Sequence, residues 1–115
     1  MLTVENLREY GANVDEGISR CLDDEEFYIE LVKSVIPDKR FDELKAAIAE
    51  KNYDKAFEVA HALKGMYGNI SITPIYEPVS ELTERLRGKS EIGDDEAALL
   101  DKVMSALDAV RKLAE

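Results

Sequence analysis

The stretch that most restricts the fold is the C-terminal one, where Leu99, Leu100, Val103, Met104, Leu107, Val110 and Leu113 recur along one side of an α-helix. Asp94, Asp95 and Glu96 precede this stripe, and Arg111 and Lys112 stand in its final turns, so both helix ends carry the charge that the helix dipole favours. The same period recurs upstream in Phe27, Leu31, Val32 and Val35, in Phe41, Leu44, Ala47 and Ile48, and in Ile75, Val79, Leu82 and Leu86. No stretch alternates with period two for long enough to make a strand. The expected fold is all-α, an antiparallel four-helix bundle with short N-terminal helical segments, because long amphipathic helices joined by short turns bury their stripes most simply that way. At 115 residues and 45% hydrophobic, residues 1–115 read as a single domain.

Capping residues place the boundaries. Thr3 is a suitable N-cap for a helix over Val4–Tyr10, with Gly11 as its stop, and Val14–Leu22 reads as a second short helix. Cys21 shares an apolar rhythm there with Val14, Ile18 and Leu22, which makes it a small core residue. Asp23 with Glu26 forms a capping-box-like start for the next helix, which Pro37 interrupts, and from Asp38 the pattern resumes either as a new helix or as the far side of a kink. Asn52 opens the helix that runs to Ile70 or Ser71, and Thr73-Pro74 reads as an N-cap followed by proline at the first helical position. That last helix either bends at Pro78 or starts nearer to it, and it ends at Arg87 before Gly88. Gly88 to Gly93 is a polar loop.

A formal charge of -10, from 25 acidic and 15 basic residues, repels phosphate backbones and anionic lipid. Nucleic acid and membrane surfaces are therefore poor partners. No apolar run approaches the roughly 20 residues that span a bilayer, and Met1 to Glu5 lacks the basic and apolar regions of a signal peptide, so the expected compartment is the cytoplasm. One cysteine and one histidine fall short of a zinc ligand set, and no calcium-loop pattern is present; neither a metal nor a cofactor is expected.

That lone histidine, His61, lies in the middle of the helix that follows Asn52. At about 100° per residue, Ala56, Val59, Ala60, Leu63, Met66, Tyr67 and Ile70 gather on the side opposite His61, while Asp54, Phe57, Glu58, Lys64, Gly65 and Gly68 share its side. The imidazole should face solvent with the core directly behind it. Two glycines on that face each cost about 1 kcal/mol relative to alanine inside a helix, and their missing side chains would let a partner's backbone approach. A solvated imidazole is available as a nucleophile near neutral pH, and Lys64, one turn on, can neutralise phosphoryl oxygens. Read from geometry alone, phosphoryl chemistry at this face and an incidental surface histidine both remain open.

Ala60-His61-Ala62-Leu63-Lys64-Gly65, followed by Gly68-Asn69-Ile70, resembles the signature of histidine-containing phosphotransfer (HPt) domains. The similarity extends from Asp24–Tyr28 through Asn52-Tyr53, which resembles the family's two helices before the active one, and to Leu82–Leu86, which resembles the helix after it, and so covers most of the chain. The resemblance implies a four-helix bundle that carries a phosphoryl group on His61, by Nε2 attack on a receiver domain's aspartyl phosphate, without autokinase activity. Lys64 would hold the phosphoryl group, Gly65 and Gly68 would give clearance, and Phe57 and Glu58 would belong to the partner-binding face. The implied partners are response-regulator receiver domains and a hybrid sensor kinase, with any magnesium supplied by the receiver, and the chain is expected to be a monomer. Met66 and Tyr67 replace small residues of the family pattern, Ser71 stands where glycine is frequent, and Pro74 with Pro78 is unusual. The competing readings are a helical adaptor that uses the same face without accepting phosphate, and a hydrolase with His61 as base beside Glu58 or Asp54; a convex helix face offers the latter no water-excluding pocket.

Overall fold

The computed structural model describes residues 1–89 and 91–115; Ser90, within the expected Gly88–Gly93 loop, lies outside the described residues. Those residues form seven helices and no strand: α1 (Val4–Tyr10), α2 (Val14–Arg20), α3 (Glu25–Val35), α4 (Arg40–Ala49), α5 (Tyr53–Asn69), α6 (Thr73–Leu86) and α7 (Asp94–Leu113). Helix α5 packs on α4 and α6, α6 on α7, α1 lies against α7, and α2 joins α1 to α3. Among the described residues no helix is long and apolar enough to cross a membrane.

Local chemistry accounts for most helix ends. Thr3 and Asn6 exchange side-chain and backbone hydrogen bonds across the first turn of α1, and Asn52 Oδ1 accepts from Lys55 N–H at the start of α5. Helix α1 stops at Gly11, whose φ of 115° favours glycine, and Pro74 packs against the same residue. At the end of α5 the left-handed residue is Ser71, with a φ of 58°. Its N–H donates to Gly68 O and that of Ile72 to Tyr67 O, which closes a Schellman motif. This is the position where the family pattern favours glycine, and here the serine hydroxyl reaches Glu16 Oε1 at 3.1 Å.

Four expectations need correction. Helix α2 stops at Arg20, two residues early, because Leu22 and Asp23 both adopt positive φ; Leu22 is 90% exposed while Cys21 is buried. Asp24, not Asp23, caps α3 by accepting from Phe27 N–H at 3.0 Å. Phe27 is consequently turned outward and Tyr28 occupies the core position. Helix α6 runs unbroken through Pro78, with Thr73 already helical and no side-chain cap at Ile72.

The break at Pro37 leaves the last carbonyls of α3 without helical donors. Tyr67 supplies its hydroxyl to Val35 O at 3.0 Å, and Arg111 from α7 supplies Nε to Ile36 O at 2.8 Å. Two further tyrosines bind distant parts of the chain together: Tyr28 donates to Ile70 O and Tyr10 to Ala106 O, each at 2.8 Å. Tyr67 meets Phe41 edge-on at 5.2 Å between ring centroids, which fixes α5 against α4. With Ala56, Ala60, Leu63, Tyr67 and Ile70 all buried, the opposite side of α5 is left outermost.

Candidate functional site

His61 is exposed near the middle of α5, with the buried residues of that helix behind it. Its ring lies 5.9 Å from that of Phe57, one turn earlier, at a tilt of 43°. On the other side the helix surface falls into an open depression of about 410 Å³ lined by His61, Lys64, Gly65, Gly68 and Asn69 of α5, Tyr76 of α6, and Glu16 and Arg20 of α2. Glu58 is exposed on the same helix but does not line this depression.

The two glycines differ in what surrounds them. Nothing lies within 4 Å of the position a Cβ would take at Gly65, so that stretch of helix surface is bare. A Cβ at Gly68 would sit 2.9 Å from Tyr76 Cε1, so this glycine is needed inside the chain to seat the tyrosine ring of α6. Clearance for a partner, the role expected of both residues, is available at Gly65; at Gly68 Tyr76 already fills the space. The Gly68 carbonyl is also engaged, accepting from Arg20 Nη1 at 2.8 Å, while Arg20 Nη2 pairs with Glu16 Oε1 at 3.0 Å.

Lys64 extends toward α6, where its Nζ lies 3.7 Å from Glu84 Oε1. Arg87 donates to both oxygens of Glu84, and these bonds, with the Lys64 charge, hold the Glu84 carboxyl below the usual carboxylate range. The Arg87 guanidinium also lies over Phe57, with Cζ 4.9 Å from the ring centroid. Phe57 is therefore half-covered by its own chain.

The family model for the Hpt domain matches residues 38–112. The chain belongs to the Hpt domain family. Hpt domains act as phosphotransfer carriers in phosphorelays, interact with receiver domains and kinases, and are generally not enzymes. Comparison with curated proteins and with solved structures finds no match. In this Hpt domain α1, α2 and α3 all precede the matched span, yet Glu16 and Arg20 of α2 form one wall of the depression beside His61.

Sequence spacing identified the face of α5 but missed Glu16, Arg20, Tyr76, Glu84 and Arg87, the residues that other helices bring to it. Only the Glu16–Arg20 spacing of four residues and the Glu84–Arg87 spacing of three carried a local signal. Nothing in spacing connects Glu84 to Lys64.

Proposed function

We propose that residues 1–115 form one Hpt domain that carries a phosphoryl group on His61 between aspartate-bearing receiver domains, one of which belongs to a hybrid sensor kinase. In this reading α4 to α7 make the antiparallel four-helix bundle, and the domain works as a cytoplasmic monomer. The observation that carries it is the exposed imidazole of His61 at mid-helix, with Lys64 one turn away and the bare backbone of Gly65 lining the same depression.

The neutral imidazole attacks the phosphorus of a receiver's aspartyl phosphate through Nε2. An N–P bond forms as the P–O bond to the aspartate breaks, and the carboxylate leaves with its electron pair. Lys64 offsets charge on the phosphoryl oxygens, and return transfer to a second receiver's aspartate reverses the same steps. The depression is open to solvent, so the receiver itself must exclude water during transfer, which accords with a carrier that does not turn over alone. Phe57, Glu58, Gly65 and Gly68 belong to the docking face, with Phe57 reaching the partner beside Arg87 and Gly68 contributing through the seat it gives Tyr76.

Incubation with receiver domains charged by a small phosphodonor tests the proposal. Acid-labile, base-stable label should move to the wild-type chain, and the absence of transfer from every charged receiver would count against it.

A further inference from the structure

Lys64 is the cation that the phosphocarrier reading sets beside His61, yet its Nζ lies 3.7 Å from Glu84 Oε1. Glu84 is fixed from its other side, because Arg87 Nε and Nη2 each donate to its carboxylate at 3.3 Å. Arg87 rests on Phe57, and Phe57 on His61, so the carboxylate belongs to a chain of contacts that returns to the imidazole. The Lys64 side chain is 29% exposed and that of Glu84 55%, and ion pairs so solvated contribute little. Lys64 can therefore change partners at small cost.

We propose that Glu84 is a positioning residue that raises the transfer potential of the phosphoryl group on His61 by competing for Lys64. The inference rests on the phosphocarrier reading above. Before transfer, Lys64 and Glu84 are paired and the unmodified domain gains that interaction. Once the imidazole nitrogen bears phosphate, its oxygens and Glu84 draw on the same ammonium group, and the fixed carboxylate charge repels the new one. Both effects raise the phosphorylated domain relative to the unmodified one and favour onward transfer. Glu84 makes and breaks no covalent bond.

The test uses the full chain and a receiver domain that labels the wild type, with the partition of label measured at equilibrium from both directions. Glu84→Gln should move the partition toward phosphorylated His61 by about two- to fivefold while lowering the unfolding midpoint only slightly, by the loss of the same solvated ion pairs. In a Lys64→Gln background the same substitution should give a smaller shift, since only direct repulsion remains. An unmoved partition, a shift toward the receiver, or a shift of equal size without Lys64 would overturn the inference. If no receiver labels the wild type, the phosphocarrier reading falls and the inference with it; a labelled wild type with an unmoved Glu84→Gln partition removes the inference alone.

Discussion

Gly65 and Gly68 are three residues apart on one helix, yet substituting them should have different consequences. At Gly65 a methyl group meets open space, so Gly65→Ala should stabilise the fold by up to about 1 kcal/mol through helix propensity. The same methyl stands where a receiver must approach, so the initial rate of transfer should fall. Urea midpoints and transfer rates measured on one preparation check both; undiminished transfer would remove the clearance role of Gly65. The sequence shows that both glycines lie beside His61 because angular position follows from spacing along one helix. It does not show that Tyr76 fills the space over Gly68, since that depends on how α6 lies across α5. Glu84 and Lys64 stand in the same relation: each residue is visible in the sequence, but their contact belongs to the packed helices.

At the scale of elements, hydroxyl bonds from Tyr10, Tyr28 and Tyr67 link helices far apart in sequence. Burial raises all three phenols, and Tyr28 is pushed up to about 12 by burial first and then by the neighbouring Cys21. Unfolded tyrosine loses its proton near pH 10. Between about 10 and 12 the unfolded chain holds fewer protons than the folded one, so stability is present below pH 10 and is lost as pH rises through that window. Urea midpoints followed upward from about pH 9 should fall, and more shallowly in Tyr28→Phe; equal slopes would show that Tyr28 does not contribute. Capping residues made α1 legible and periodicity made α4, α5 and α7 so, while the start of α3 was misplaced by one residue. Asp23 and Asp24 are chemically equal as caps, and only the left-handed turn at Leu22 and Asp23 decides between them.

Over the whole molecule, the part matched by the family and the part that builds the site do not coincide. Residues 38–112 supply His61, Lys64 and Glu84, but the far wall of the depression comes from α2, tied to the end of α5 through Arg20 and Gly68 O and through Glu16 and Ser71. Leu2, Leu7 and Val14 are buried as well, so deleting residues 1–22 should lower the unfolding free energy by on the order of 5 kcal/mol. An unchanged urea midpoint would contradict that coupling. For His61 the decisive quantity is the site and amount of phosphohistidine after incubation with charged receiver domains. Acid-labile, base-stable label should appear on His61 of the wild type and not on His61→Gln, whose unfolding midpoint stays near the wild-type value because the residue is exposed. Label retained by His61→Gln, or no label on the wild type from any charged receiver, would contradict it.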